Sequence, residues 1–330
     1  MRFAYQPLPG EPDQLCNLVA AGIIDEYLRR DPEARIKCLV NGGHEALFVS
    51  GEVLSSQDFD VGQLVTRILG VNGLFQGIEP FVALEPVPSS LVEKFRMPST
   101  DAVLATGYAT REHASLSPKI VCVARDLAKM LFDKRTSDPE WFWMGTSGSV
   151  TVQSDTRPID QIIIQVDHGT QDIENVRQQI KKELEKWPEV QGVRLKINPL
   201  GPRERTDLEF SMGHSHSAIF SYGSALPIYL QADADWHNAR VAGQMLARWL
   251  AREVLRQSDA KAVLVRLNYG PGDLEPEAIE IKDEKGKDLS HLAKDMDLHL
   301  ERATAKWRRP GLMSDMVKWG LTDPNMPWEI

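Results

Sequence analysis

Apolar residues recur at helical spacing near the start of the chain. This pattern predicts a helix over residues 14–30 with one apolar face, made of Leu15, Leu18, Val19, Gly22, Ile23 and Tyr27. Asp13 stands just before this helix, and a short acidic side chain is well suited to cap its first turn.

Two strand-like runs follow the first helix, at residues 36–40 and 46–53. Between them lies Asn41-Gly42, a pair that tolerates positive φ angles and is typical of hairpin turns. A second amphipathic helix is predicted from a cap at Asp60 to a stop at Gly70.

The same order of elements recurs twice. The central repeat has a helix at 119–135, strands at 149–153 and 159–166, and a helix from Ile173 to Leu184. The last repeat has a helix around Val241 to Val254, strands at 262–268 and 277–282, and a final helix opened by Leu289, Leu292 and Met296. We therefore predict an α/β (α+β) protein with three similar helix-hairpin-helix subdomains in a pseudo-threefold arrangement.

Proline-rich segments suggest where these subdomains are joined. Proline removes an amide donor and holds the chain extended, and it recurs in Leu84–Ser90 and in Asn198–Pro202. The predicted subdomains are residues 1–90, 91–200 and 201–330.

Composition narrows the classes of partner. The 38 Lys and Arg residues against 47 Asp and Glu give a net charge of −9, which disfavours nucleic acid and anionic lipid as partners. The three cysteines, Cys16, Cys38 and Cys122, are far apart and show no metal-ligand spacing. Together with the lack of an export signal or a long apolar stretch, they predict a cytoplasmic protein.

Several short motifs are similar to those of the S-adenosylmethionine synthetases (methionine adenosyltransferases). Gly10-Glu11-Pro12-Asp13-Gln14 and Gly51-Glu52-Val53 resemble the Gly-His-Pro-Asp-Lys and Gly-Glu-Ile-Thr of that family. The further matches are Ala34-Arg35-Ile36, Asp101 through Gly107-Tyr108-Ala109-Thr110, Asn198-Pro199-Leu200-Gly201, Ala247-Arg248-Trp249-Leu250-Ala251-Arg252 and Pro327-Trp328-Glu329. The resemblance therefore extends from residue 10 to residue 329.

The resemblance implies a threefold α/β subunit that forms a homodimer with shared active sites. It also implies transfer of the adenosyl group of ATP to the sulfur of methionine or a related thioether amino acid, with release of the triphosphate. Magnesium is the implied cofactor, with potassium as an optional second ion.

Three carboxylates match functional positions of the family. The resemblance makes Asp13 a magnesium ligand, Glu52 the carboxylate for the methionine amino group, and Asp101 the acid near methionine and the nucleoside. Taken singly, Asp13 could only cap its helix, Glu52 could only face solvent, and Asp101 could only begin a turn. Their shared spacing favours a site for Glu52 and Asp101 and leaves Asp13 evenly balanced.

Other positions depart from the family pattern, and most of them correspond to family residues at the triphosphate site. Glu11 replaces the histidine beside the leaving group, and Gln14 replaces a lysine. Gly145–Ser149 stands where the family has Asp-Gly-Lys-Ser-Gln. Because one lost electrostatic donor commonly costs about 3 kcal/mol at a transition state, these losses cast doubt on the family's reaction at ordinary rates.

If ATP still binds, other cations must contact its phosphates. The nearest candidates in sequence are Arg203, Arg205, Arg240, His214 and His216. Alternation on a strand would point both histidines to one face, which also suggests a metal, but no third ligand has recognisable spacing. A hydrogen-bonded pair at the surface or in a cleft is the favoured interpretation over a zinc site.

Three functional hypotheses follow from these observations. The first is a divergent adenosyltransferase with Glu11 and Asp101 as its candidate catalytic residues. The second is the same fold with altered chemistry on a nucleotide or amino-acid ligand. The third is a noncatalytic binding or regulatory homologue.

Overall fold

The structure, a computed structural model, describes residues 1–43, 46–71, 78–203, 221–228 and 233–330. The strands of this part are β1 (Arg2–Pro7), β2 (Arg35–Gly43), β3 (Ala46–Leu54), β4 (Glu79–Pro86), β5 (Val103–Thr110), β6 (Gly148–Ser154), β7 (Gln161–Val166), β8 (Arg194–Ile197), β9 (Ala262–Tyr269) and β10 (Ala278–Asp283). Its helices are α1 (Pro12–Arg30), α2 (Val61–Val71), α3 (Val92–Arg96), α4 (Lys119–Ser137), α5 (Ile173–Leu184), α6 (Ala239–Arg256), α7 (Leu300–Thr304) and α8 (Leu312–Trp319).

The strands form three sheets, with orders β1-β6-β7-β8, β10-β9-β5 and β2-β3-β4. In two of them a hairpin is extended by a parallel strand that follows a helix: β4 joins β3 after α2, and β8 joins β7 after α5. In the third, the hairpin β9-β10 is extended by the antiparallel strand β5. The protein is therefore a mixed α/β structure, while the pseudo-threefold repeat stays a prediction.

The sheets combine strands that are distant along the chain. β1 pairs with β6 in an antiparallel register from Arg2↔Ser154 to Pro7↔Ser149. β5 pairs in the same way with β9, from Val103↔Tyr269 to Thr110↔Ala262. These pairings cross the predicted boundaries at residues 90 and 200, so two of the sheets contain strands from different predicted subdomains. The boundaries themselves stay a prediction.

Most predicted helices and strands match the structure within two residues at each end, and three local predictions are wrong. Helix α1 begins after Glu11, with Pro12 in its first turn, so Asp13 lies inside the helix and does not cap it. The predicted hairpin of β2 and β3 is confirmed, but Asn41 and Gly42 are not its turn, because they lie within β2, opposite Phe48 and Leu47. The predicted final helix is only a single 3₁₀ turn at Ser290–Ala293.

Helix α6 packs against the sheet that contains β5 and β9. The close approach requires glycine at position 107, because a Cβ there would overlap the backbone carbonyl of Ala247. Two motifs of the family resemblance, one on α6 and one at the C-terminus, meet in this core. Arg248 is fully buried and binds Glu329 in a bidentate ion pair with N–O distances of 2.6 and 2.8 Å.

The remaining donors of Arg248 bind the end of β5 and the loop that follows it. They reach the carbonyl oxygens of Tyr108 (2.6 Å) and Ser115 (3.0 Å) and the hydroxyl of Ser117 (2.9 Å). Arg252, one turn later, donates to the backbone oxygens of Trp328 and Glu329. Together these bonds attach the C-terminal segment to the core.

A buried carboxylate joins α1 to α8. Asp25 accepts hydrogen bonds from the amides of Met313 (3.1 Å) and Ser314 (2.9 Å) at the start of α8. Burial raises the pKa of Asp25 from its ordinary 3.8 to about 6. In the part of the chain that the structure describes, no helix has the length and apolarity needed to cross a membrane.

This pKa shift predicts a specific pH dependence of stability. Between pH values of about 4 and 6 the folded state keeps a proton on Asp25 that the unfolded state releases. The free energy of unfolding should therefore fall as pH rises through this interval, by an amount on the order of 3 kcal/mol. Asp25→Asn should remove this component in urea titrations between pH 4 and 8.

The comparison with the variant is needed because a second buried group acts in the opposite direction. Burial lowers the pKa of His237 to about 3, so its contribution to stability is lost as pH falls from about 6.5 towards 3. The difference between wild type and Asp25→Asn isolates the carboxylate. A difference that does not change with pH between 4 and 6 would contradict the assignment.

Candidate functional site

Glu11 is held by three donors at the start of α1. One carboxylate oxygen accepts from the hydroxyl of Ser147 (2.7 Å), the amide of Gly148 (3.1 Å) and the guanidinium of Arg203 (3.3 Å). Ser147 and Gly148 lie where β6 begins, beside the loop that contains Glu11. The carboxylate that replaces the family histidine is therefore part of an ordered polar cluster.

Arg203 completes this cluster with a second carboxylate. Its Nε lies 2.8 Å from Asp167, a buried residue, and its backbone amide donates to Nε2 of His168 (3.0 Å). His168 in turn donates from Nδ1 to the carbonyl of Gln171 (2.8 Å), which defines its tautomer. Arg203 is thus paired with two carboxylates, those of Glu11 and Asp167, and its role as a phosphate-binding cation stays a prediction.

The side chain of Gln14 does not turn towards this cluster. It is buried, and its amide donates to the carbonyl of Val317 in α8 at 2.6 Å. The position that is a lysine in the family motif is therefore used here to pack one helix against another. Asp13, one residue earlier, lies half-buried in the first turn of α1 and acts electrostatically on Tyr5.

A second polar site lies where three segments meet. It is a pocket of about 240 Å³ that is lined by β2, by residues 94–101 and by the start of α6. Asp101 and Arg240, both predicted from the sequence, line this same pocket. The guanidinium of Arg240 lies 3.0 Å from the carboxylate of Asp233.

Backbone bonds hold the three segments together. The amide of Cys38 donates to the carbonyl of Asp233 (2.9 Å), and the amide of Ala239 donates to the carbonyl of Pro98 (2.8 Å). Asn238 caps α6 through a bond from the amide of Arg240 (3.0 Å). The pocket is therefore built by hydrogen-bonded backbone and not by side chains alone.

The two carboxylates of the pocket differ in their environment. Asp235 is buried, and its two oxygens accept from the amides of Ile36 (2.7 Å) and His237 (2.8 Å). Burial raises the pKa of Asp235. Asp101 is exposed, and its Oδ2 accepts a long hydrogen bond from the hydroxyl of Thr100 (3.3 Å). Asp101 is thus the carboxylate that is accessible to a ligand.

Glu52 lies on the exposed face of β3, beside the pocket. Its neighbour across the antiparallel pair is Lys37, which lines the pocket. Its neighbour across the parallel pair is Glu85 of β4. Like charges directly opposite each other disfavour a sheet, so this pair of carboxylates would gain from a bound cation such as an ammonium group.

The predicted site residues thus form two groups. Asp101, Arg240 and Glu52 lie at or next to the pocket, whereas Glu11 and Asp13 lie at the start of α1. His214, His216 and Arg205 lie outside the described residues. The functional roles of all these residues stay predictions.

Magnesium binding can be tested against the available donors. In residues 1–43, 46–71, 78–203, 221–228 and 233–330, no group of three His, Cys, Asp or Glu side chains could hold a metal ion. Magnesium at phosphate sites usually takes one or two carboxylates, and phosphate oxygens and water complete its shell. A single carboxylate such as Asp13 fits that mode of binding.

Some residues at the two sites were not predicted from the sequence. They are Lys37 and Lys94 at the pocket and Asp167 beside Arg203. Lys37 could have been found from the sequence, because side chains alternate along β2 and this alternation places Lys37 on the same sheet face as its cross-strand neighbour in β3. No sequence pattern indicated Lys94 or Asp167, because each meets its neighbours only through tertiary contacts.

The comparisons with known proteins agree with the sequence motifs. The S-adenosylmethionine synthase of Aquifex aeolicus is 23% identical over 314 residues, covering 86% of this chain and 81% of the relative. That of Fusobacterium nucleatum is 23% identical over 365 positions, covering 97% and 93%. The chain is a divergent relative of the S-adenosylmethionine synthetases.

A solved structure shows the same fold. The chain matches an unusual S-adenosylmethionine synthetase from Campylobacter jejuni with a TM-score of 0.85 and 20% identity, covering 99% of this chain and 96% of the other. No protein-family model matches the chain. The relation to the S-adenosylmethionine synthetases therefore rests on full-length similarity at low identity.

Proposed function

We propose that this protein is an adenosyltransferase related to the S-adenosylmethionine synthetases. It transfers the adenosyl group of ATP to the sulfur of methionine or of a related thioether amino acid, and the triphosphate leaves. The observation that carries the proposal is the meeting of Asp101 and Arg240 in one pocket on a fold shared with that family.

The residues around the pocket suit the charges of these substrates. Asp101 offers an exposed carboxylate for an ammonium or hydroxyl group, and Glu52 with Glu85 offers a second acidic position next to it. Arg240 offers a cation at the start of α6. The sulfur attacks C5′ while the bond from C5′ to the triphosphate oxygen breaks, so the protein's main tasks are to orient the substrates and to stabilise charge.

Magnesium would bind at Asp13 and reduce the charge repulsion of the triphosphate. Glu11, in the same turn of the chain, stands where the family has a histidine beside the leaving group. Its carboxylate is bound by Ser147, Gly148 and Arg203, which makes it a fixed anion and not a donor. In this protein Glu11 would position Arg203 and the loop before β6.

That observation also supports a second candidate function. Glu11 is paired with Arg203, and the amide of Gln14 is buried against α8, so neither side chain stabilises the charge of the departing triphosphate. The protein could therefore use the same fold for altered chemistry on a nucleotide or amino-acid ligand. The two candidates differ in whether turnover of ATP depends on methionine.

The experiment is to incubate pure protein with ATP, methionine and magnesium and to measure S-adenosylmethionine, phosphate and pyrophosphate. The first candidate predicts all three products together. Binding of ATP by calorimetry without methionine-dependent turnover would support the second candidate. If neither product formation nor nucleotide binding is observed, both candidates are ruled out and a noncatalytic homologue remains.

We further propose that the protein is a homodimer that pairs through its sheets. The exposed face of β2-β3-β4 carries large apolar side chains: Leu39, Phe48 and Phe81 are each about half exposed. Phe48 and Phe81 stack with centroids 5.2 Å apart. A contiguous apolar face of this kind is typical of an interface.

Light scattering at micromolar concentration should give twice the mass of one chain, and the mass of a monomer would contradict this.

A further inference from the structure

A groove lies where α1, α2 and α8 meet, separate from the polar pocket. Its volume of about 430 Å³ is within the roughly 300–1,000 Å³ of sites that enclose small ligands. Its lining shares no residue with that of the pocket that contains Asp101. The groove therefore offers space for a ligand that the proposed reaction does not use.

Much of the lining of this groove is apolar. Its apolar side chains are those of Leu18, Leu64, Ile68, Val71 and Pro310. Val71, in the last turn of α2, is 81% exposed. A ligand with an apolar body would remove this surface from water, which favours its binding.

The acidic residues of the groove already have partners. The two oxygens of Asp25 accept the backbone amides at the start of α8. Glu26 accepts hydrogen bonds from two arginines of its own helix at 2.8 and 2.9 Å, and Asp315 accepts from Arg309 at 2.7 Å. These bonds offset the negative charge of the three acids, so the groove is poorly suited to a cation.

Two basic residues of the groove have no such partner. Among the described residues, no carboxylate lies within 4.0 Å of the guanidinium of Arg67 or the ammonium of Lys318. Lys318 is half-buried, with its ammonium 4.1 Å from the centre of the Phe132 ring. Burial lowers the pKa of Lys318, and the charges of Asp315 and Asp133 offset this only in part. An anion next to Lys318 would therefore stabilise its charged form.

We propose that the groove binds an amphipathic anion, a single-chain carboxylate whose apolar tail lies against α2 and whose head lies at Lys318. Arg67 adds a second positive charge, and both side chains are suitable donors to a carboxylate. A head with one negative charge fits better than a polyanion, because Asp133 and Asp315 would repel additional charge. The inference goes beyond the adenosyltransferase, since this ligand takes no part in that reaction.

The test measures binding by calorimetry. Sodium decanoate, kept below its micelle concentration, is titrated into the full-length protein without nucleotide or metal. The wild type should bind one molecule per chain, and Arg67→Met/Lys318→Met should bind at least about tenfold more weakly, because the charged contacts are lost. Val71→Asp should also weaken binding, since it places a negative charge on the apolar wall. An unchanged urea unfolding midpoint shows that each variant is folded.

The matched control is Lys181→Met/Lys182→Met, which removes two exposed cations from the last turn of α5, away from the groove. It should bind decanoate like the wild type. The inference is overturned if the wild type does not bind decanoate at millimolar concentration, or if the variant of Arg67 and Lys318 binds equally well. It is also overturned if decyltrimethylammonium, a cation with the same tail, binds as tightly, or if acetate, which lacks the tail, competes as strongly.

These outcomes are independent of the proposed function, because the titration contains neither ATP nor methionine. Decanoate binding that depends on Arg67 and Lys318, without methionine-dependent turnover, would keep the groove as a binding site and reject the adenosyltransferase. Turnover in a protein that does not bind decanoate would do the reverse.

Discussion

Asp101→Asn is expected to lower kcat/KM for S-adenosylmethionine formation about a hundredfold or more. The substitution keeps the size of the side chain and removes its charge. Asp101 is the exposed carboxylate of the pocket, because Asp235 is buried and bound by two backbone amides. A charged hydrogen bond that strengthens in the transition state is commonly worth about 3 kcal/mol, which gives this factor.

The control is Asp172→Asn at the start of α5. Asp172 caps that helix through the amides of Glu174 and Asn175, and asparagine is an equally good cap, so activity and stability should both be retained. Steady-state rates at saturating and limiting methionine separate an effect on kcat from one on KM. A rate for Asp101→Asn within twofold of wild type would show that the role carried over from the family is misplaced.

Glu329→Gln is expected to lower the free energy of unfolding by about 3–5 kcal/mol, because it leaves the buried guanidinium of Arg248 without its counter-charge. Both side chains are almost completely buried, at 0% and 1% exposure. The amide of glutamine can accept only one of the two hydrogen bonds from Arg248. Urea denaturation followed by tryptophan fluorescence measures the loss, since Trp328 is buried beside the pair.

The matched control is Glu253→Gln on the same helix. Glu253 pairs with Arg256 at the surface, where the two side chains are 24% and 43% exposed. An exposed pair of this kind contributes about 1 kcal/mol or less. Equal effects of the two substitutions would contradict the structural role assigned to Arg248 and Glu329.

The sequence predicted best what local periodicity determines. The helices α1, α2, α4, α5 and α6 each carry an apolar stripe that repeats every three or four residues, and each was predicted within two residues of its observed ends. Errors arose where turn chemistry was the only signal. Asn41-Gly42 is extended within β2, since the hairpin register continues past it to the pair Gly43↔Ala46.

Contacts between distant segments were not predictable in the same way. Nothing in the pattern of β1 or β5 indicates that their partners are β6 and β9, more than 140 residues away. The motifs that contain Arg248 and Glu329 were both recognised, yet their ion pair became visible only in the folded chain. Burial of a charged group is a property of the assembled core, and a single sequence does not encode it locally.

At the candidate site, too, some residues were found from sequence motifs and others became visible only in the folded chain. Asp101 and Arg240 could be named from motifs and their neighbours, and the structure brings them to one pocket. Lys37 and Lys94 were missed, because a solvent-exposed lysine on a strand or a short helix is ordinary until the walls around it are known. Arg203 was predicted as an available cation, but the structure pairs it with Glu11 and Asp167.

The most direct measurement of adenosyl transfer follows the carbon atom that changes its partner. The protein is incubated with methionine, magnesium and ATP labelled with ¹³C at C5′, and the products are separated and analysed by mass spectrometry and NMR. Adenosyl transfer predicts that the label appears in a sulfonium product, with its carbon resonance shifted by the new bond to sulfur. Label found only in ADP, AMP or unreacted ATP would contradict it.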